Sequence, residues 1–500
     1  MPEAIKMKKF PALFVSDKES SANISRAVKA GLIRKIGPRL YTSNMKDDPE
    51  MLVRQNAWQI VSLLLPGAVV SHRSALENKI SPNGRVYVTG GSAKVISLPG
   101  LEIVVLKGHG PLPNRDMPML QLFMACRERG YLENLLSTKD KGSESKILPR
   151  NELEEKLVAV LRSGGEIALN AIRDRSKEVA HDLGMNAEFK KLDNLIGTIL
   201  GTRTLDLASP LSQAYSVGEG YDPQATERFA ILRAELAGRV FKSRPMPTVD
   251  RQVFYNASFF DAYFSNFIEG TEFEVEEAIG IIESGVVPVD RPEDGHDILG
   301  TYRVVGSIDE MTTIPHDFQE FMEILTRRHA TIMEGRTDKR PGRFKEKPNI
   351  AGLTRFVEPT LVRGTLRQAF EFYRGLVDPF ARALFIMFTV SDIHPFDDGN
   401  GRVARTMMNA ELVAKGETRI IIPSVFRGEY LSGLKRMTNE ADPIPFIKQL
   451  DYVQEFYHRI DLTDLDRAIE MMRNCNSFAK PEDTVRLKMP PPRSDESMMS

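Results

Sequence analysis

The residues best suited to phosphate chemistry in this 500-residue chain lie in one run, Ile393-His394-Pro395-Phe396-Asp397-Asp398-Gly399-Asn400-Gly401-Arg402-Val403-Ala404-Arg405. Gly399, Asn400 and Gly401 let backbone N–H groups turn toward a ligand at the start of a helix, where the dipole and unpaired donors favour an anion. Arg402 and Arg405 stand three apart on one helical face and can grip phosphate oxygens with forked guanidinium groups. Asp398 supplies one hard oxygen for Mg2+, which keeps water and phosphate in the rest of its shell. His394, just ahead, can take a proton from an incoming hydroxyl near neutral pH. The pattern predicts a polyphosphate held beside a general base. No GxxxxGK[ST] string and no HRD or DFG set occurs, which counts against ordinary γ-phosphoryl transfer.

Two helices must position this loop. Upstream, ARALFIMFTVSDI is nearly all apolar and reads as a buried helix; downstream, RVARTMMNAEL is rich in helix formers.

The run resembles the HxFx(D/E)GNGRxxR motif of the Fic family of AMP transferases at His394, Phe396, Asp398, Gly399, Asn400, Gly401, Arg402 and Arg405. That resemblance implies His394 as the base, Phe396 as the loop's anchor in the core and Asp398 as the Mg2+ ligand. It also implies an anion hole for the α-phosphate at Gly399, Asn400 and Gly401, with Arg402 and Arg405 on the leaving phosphates of ATP. Upstream, Phe264-Ser265-Asn266-Phe267-Ile268-Glu269-Gly270 resembles the family's [S/T]xxxE[G/N] inhibitory motif, on a helix near 258–270. Glu269 would pair with Arg405 in place of the γ-phosphate, with Ser265 supporting the helix. Gly342-Arg343-Phe344 through Phe356-Val357-Glu358-Pro359 resembles the β-hairpin flap, whose open edge would hold a segment of a target protein. Phe344 and Lys345 depart there from the Tyr-Arg that relatives often show. Tyr430, in RGEYLSGL, would border the adenine. The implied activity is transfer of AMP from Mg-ATP to a Tyr, Thr or Ser hydroxyl. Two other readings use the same parts: removal of AMP with Glu269 positioning a water, and a DNA-binding regulator whose core senses nucleotide.

The rest of the chain reads as an ordinary globular protein, with 42% hydrophobic and 27% charged residues and a net charge of -1. Cys126 and Cys475 are far apart and lack CxxC spacing, which argues against a disulfide framework or a zinc site and fits a reducing cytoplasm. No apolar run is long enough to span a bilayer or serve as an export signal. From Ser20 to Ser43, Ile24, Val28 and Leu32 recur at helical spacing before a Gly37-Pro38 turn, predicting a helix and a small β-wing. Arg26, Lys29, Arg34 and Lys35 lie on or near it, as candidate contacts to DNA phosphates. This stretch, with VVSHRSAL at 69–76, resembles the N-terminal region of AbiEi-type antitoxins and related regulators.

The expected fold is mainly α. A winged-helix-like α/β domain spans 1–135, a linker 136–155 and a helical segment 156–244. A Fic-type helical core with its flap spans 245–460, followed by a helix at 461–479 and a disordered tail at 480–500. DNA and a second copy of the chain are candidate partners beside ATP and the target. A homodimer interface near 265–280 would bear on Glu269. The acidic run Glu272, Glu274, Glu276 and Glu277 reads as a solvated helix face. The other histidines, His296-Asp297 included, receive no role.

Overall fold

The computed structural model describes residues 10–138, 145–246, 250–352, 354–480 and 482–492. They divide into two compact units, Met1–Gly218 and Glu219–Ser500.

In the first unit, period-two alternation builds a mixed sheet. β1 (Leu13–Val15), α1 (Ser21–Lys29), β2 (Arg34–Gly37) and β3 (Leu40–Thr42) come first, with strand order β1-β3-β2. The helix and hairpin lie where the periodicity predicts them, but the inward stripe differs. Ile24, Ala27 and Ile33 are buried, while Val28 and Leu32 are 36% and 49% exposed. The cause is Gly31, whose φ of 70° ends the helix and turns Ile33 inward in place of Leu32. α2 (Pro49–Gln55) and α3 (Ala57–Leu64) then cover a six-stranded sheet of order β6-β7-β5-β4-β9-β8. Its strands are β4 (Val69–Val70), β5 (Arg85–Thr89), β6 (Lys94–Leu98), β7 (Leu101–Leu106), β8 (Met117–Met119) and β9 (Leu122–Met124). Leu101, Ile103 and Val105 alternate into the core. α4 (His72–Glu77) follows β4, and α5 (Arg127–Glu133) follows β9. α6 (Arg150–Leu183, broken at Gly165), α7 (Asn186–Ile199) and α8 (Pro210–Ser216) complete the unit. α6 starts inside the expected 136–155 linker, because Leu153 and Leu157 have a core to bury against.

The second unit is helical and begins before the expected boundary at 245. α9 (Pro223–Ala237) belongs to it, since Phe229 packs edge-on against Phe385 and Phe388. Val240 lies past the helix end and is fully exposed. α10 (Arg251–Ile268), α11 (Val275–Ser284), α12 (Pro292–Val305), α13 (Ile308–Thr312) and α14 (Phe318–Ile332) lead to the hairpin β10 (Ile350–Ala351) and β11 (Thr354–Arg355). α15 (Val362–Tyr373), α16 (Pro379–Ile393), α17 (Asn400–Val413), α18 (Arg427–Glu440), α19 (Pro443–His458) and α20 (Leu465–Asn474) follow. Glu272, Glu276 and Glu277 are exposed at α11 and pair with Lys480, Arg473 and Arg291. The tail is ordered further than composition suggests: Leu487 and Met489 pack on the α10 core, and Arg459 donates to the Pro490 carbonyl at 3.0 Å. Residues 493–500 lie outside the described residues. Among the described residues no helix is long and apolar enough to cross a membrane.

α10 is the element on which the site leans, and a buried ion pair holds it. Asp261 accepts from Arg419 Nη1 and Asn409 Nδ2, each at 3.0 Å, and Arg419 also donates to Ser258 Oγ and the Val305 carbonyl at 3.1 Å. Arg419 has no exposed surface, so removing its partner strands a buried charge. Asp261→Ala is expected to destabilise the second unit by about 3–5 kcal/mol, measured by denaturant unfolding of the full chain.

Candidate active site

α16 is buried along nearly its whole length and stops at His394, whose φ of 54° takes the left-handed cap position before Pro395. The loop then sinks Phe396 completely, between the His329 imidazole (centroids 3.6 Å apart, planes 3° from parallel) and Phe344 at 5.4 Å. Asn400 braces the turn from inside. Its Oδ1 accepts from Phe396 N and its Nδ2 donates to the Phe396 carbonyl, both at 2.9 Å. Gly399 caps α17 with φ 71°, and a Cβ there would meet Met333 Sδ at 2.5 Å. Among the described residues no side chain caps α17, so its first-turn N–H groups keep their donors for a ligand.

The basic side chains converge on this helix start. Arg402 and Arg405 are each 3% exposed. Arg402 Nη1 lies 2.6 Å from Asp297 Oδ2, and its Nε is buried with no hydrogen-bond partner among the described residues. Such an orphaned donor beside an uncapped helix start suits an anion. Asp297, 2% exposed, is also gripped by Arg336 at 2.7 and 3.1 Å. It had no expected role. Its link to Arg402 spans more than a hundred residues, and no local pattern announces it.

Arg405 is held largely from the α10 side. Nε donates to Ser265 Oγ at 2.9 Å, and Nη2 donates to the Ser265 carbonyl at 2.8 Å and to Glu269 Oε1 at 2.7 Å. Glu269 Oε1 also fills the space beside Gly401, where a Cβ would come within 2.0 Å of it. Gly270 follows with φ 100°, releasing the chain from the helix end. Tyr430, 2% exposed, hydrogen-bonds to Arg405. It is thus a buried partner of the arginine fork.

His394 donates from Nδ1 to the Ser391 carbonyl at 3.3 Å, so the lone pair is on Nε2. Burial lowers its pKa to about 4, Lys345 adding to the effect and the Ser391 carbonyl, Glu269 and Asp398 opposing it. The imidazole is therefore neutral at physiological pH and can accept a proton. Phe356, from the hairpin base, stacks on it with centroids 3.9 Å apart. The Asp398 side chain is 43% exposed beside the cradle. Among the described residues no three His, Cys, Asp or Glu gather as a metal cage. One carboxylate next to an anion site fits Mg2+, which takes its other ligands from phosphate and water.

His329 is the second functional residue missed by sequence reasoning. It accepts from Gly342 N at Nδ1 and donates from Nε2 to the Asp398 carbonyl, both at 2.9 Å, so a single neutral tautomer spans two loops. Its burial lowers its pKa to about 4, in keeping with that state. Arg26, Lys29 and Lys35 are exposed in the first unit, whereas Arg34 donates to the Asp47 carbonyl.

Residues 319–412 match the sequence model of the Fic/DOC family. The chain is 25% identical over 259 residues to "Protein adenylyltransferase fic-1" of Caenorhabditis elegans, covering 47% of this chain and 50% of that one. It is 40% identical over 117 residues to "Protein adenylyltransferase Fic" of Drosophila persimilis, covering 22% of each. It thus spans half or less of the length of these curated relatives. A solved structure, Fic-1 (residues 134–508) from C. elegans, aligns with a TM-score of 0.35 at 18% identity, over 65% of this chain and 92% of that one. The Fic/DOC match at residues 319–412 runs from α14 through the His394–Arg405 loop into α17.

Proposed function

We propose that this chain moves AMP from Mg-ATP to a Tyr, Thr or Ser hydroxyl of a target protein, and that Glu269 holds the reaction down. The observation carrying the reading is the juxtaposition at α17: an uncapped helix start, a buried unpartnered Arg402 Nε, and a neutral His394 with its Nε2 lone pair free. ATP would lay its phosphates along Gly399, Asn400 and Gly401, with Arg402 and Arg405 on the β- and γ-phosphates. The target oxygen attacks the α-phosphorus while His394 Nε2 takes its proton. The bond from the α-phosphorus to the bridging oxygen breaks, and pyrophosphate leaves with that electron pair. Asp398 would hold Mg2+, which supplies positive charge to the phosphate oxygens when bound. With Glu269 on Arg405 and against Gly401, the γ-phosphate position is taken. The same carboxylate supports a second reading, removal of AMP, in which it orients a water toward the α-phosphorus. For the first unit we propose DNA binding through Arg26, Lys29 and Lys35, supported by their exposure on a basic helix and hairpin.

Four measurements test these readings. Incubated with Mg-ATP and cell extract, Glu269→Gly is expected to transfer labelled AMP at least about tenfold faster than wild type, and adding His394→Ala to lower the rate by about 10²–10⁴-fold. Release of free AMP from a modified protein by the wild type, dependent on Glu269, would move removal ahead of transfer. The pH profile of kcat/KM reports the free base. A pKa lowered to about 4 keeps His394 deprotonated, so the profile of Glu269→Gly should stay flat from about pH 7.5 to 5.5 and fall only as pH approaches the folded value. An acid limb centred near an ordinary imidazole would contradict this. Duplex DNA should give a mobility shift at low salt that weakens steeply with salt and is lost on changing Arg26, Lys29 and Lys35 to Ala; no shift at low salt removes that reading.

A further inference from the structure

A loop that turns its N–H groups toward an anion turns its carbonyls the other way, and buried carbonyls need donors. At residues 393–398 the donors come largely from the segment between α14 and the hairpin. Lys345 N donates to the Pro395 carbonyl at 2.9 Å, and Lys345 Nζ to the Ile393 carbonyl at 3.3 Å and to Asn349 Oδ1 at 2.7 Å. Asn349 Nδ2 donates to the Phe396 carbonyl at 2.9 Å. Lys345 is 3% exposed, so these contacts are shielded from water.

Asn349 directly precedes β10, and its carbonyl accepts from Phe356 N at 3.4 Å, closing the hairpin base. Phe356 stacks on His394. Both ends of the hairpin are therefore fastened to the catalytic loop, one by the Asn349 amide and the other by the Phe356 ring. Arg340 adds a brace from the same segment, gripping Asp397 at 2.8 and 3.2 Å.

We infer that Lys345 and Asn349 are positioning residues that set the register of the hairpin against His394, and with it the placement of a target hydroxyl paired to the hairpin edge. The inference rests on the AMP-transfer reading above. Neither side chain contacts Arg402, Arg405 or Glu269 in the hydrogen bonds and ion pairs they make. Their loss should disturb hydroxyl placement while leaving nucleotide affinity in place. Small displacements of reacting groups cost about 10²-fold in rate, so a partial loosening is expected to cost tenfold or more.

The test uses the full chain carrying Glu269→Gly, with Asn349→Asp, Lys345→Met or Lys345→Arg added. Asn349→Asp keeps the shape and removes the donor; Lys345→Arg keeps donors within reach of the Ile393 carbonyl. Transfer is read with α-labelled ATP and cell extract, Mg-ATP binding by calorimetric titration, and folding by thermal melting. The expected result is at least a tenfold loss of transfer in Asn349→Asp and Lys345→Met, a Mg-ATP Kd within twofold of the parent, and recovery in Lys345→Arg. If Glu269→Gly labels protein and Asn349→Asp labels it equally fast, the register inference is overturned while the transfer reading stands. A fall in Mg-ATP affinity that parallels the loss of labelling also overturns it, since the residues would then only support the phosphate site. If Glu269→Gly labels nothing, the transfer reading fails and takes the inference with it.

Discussion

A site built from buried arginines has to be electrically balanced when no anion is present. Arg402, Arg405 and Arg419 are each at most 3% exposed, and burying a cation without a partner costs several kcal/mol. Each has a carboxylate from another helix: Asp297 on α12 for Arg402, Glu269 at the end of α10 for Arg405, and Asp261 within α10 for Arg419. The arrangement of α10 and α12 around α17 follows from this need. The three carboxylates differ in exposure. Asp297 and Asp261 are buried as side chains at 3% and 4%, while Glu269 is 34% exposed. Two are fixed parts of the framework, and the third stands at the water boundary, where another anion can compete with it.

Backbone polarity imposes the second constraint. The loop between α16 and α17 cannot offer N–H groups to a ligand unless its carbonyls are satisfied elsewhere. His329, Lys345, Asn349 and Asn400 satisfy those of Asp398, Ile393 and Phe396. The apolar sandwich of His329, Phe396 and Phe344 sets the depth of the loop, and the hydrogen bonds set its facing. The neutral state of His329 is part of this, because one ring nitrogen donates and the other accepts.

Short-range features of this architecture were legible in the sequence. The apolar run before His394 and the Gly399-Asn400-Gly401 turn specify a buried helix, a cradle and a second helix through local sterics and hydrophobic burial. Glu269 opposite Arg405 was readable only because its own motif is contiguous. Asp297 and His329 were passed over because their partners lie 105 and 69 residues away, and a lone Asp or His carries no mark of such a contact. At the other end, Val28 and Leu32 fit a helical period that the chain abandons at Gly31. In the tail, prolines and charges concealed two apolar residues, Leu487 and Met489, that are enough to dock it.

The space beside Gly401, at the start of the cradle, is occupied by the Glu269 carboxylate. A side chain introduced at 401 would displace Glu269 and obstruct the cradle in the same stroke. Under the proposed reading, loss of restraint and loss of capacity are thus inseparable at that position. If Glu269 restrains the site as proposed, its release with the cradle intact falls to the α10 side, at Ser265, Glu269 and Gly270. Those three residues lie outside the Fic/DOC match at 319–412, so under the proposed reading the core and its brake stand on separate stretches of the sequence.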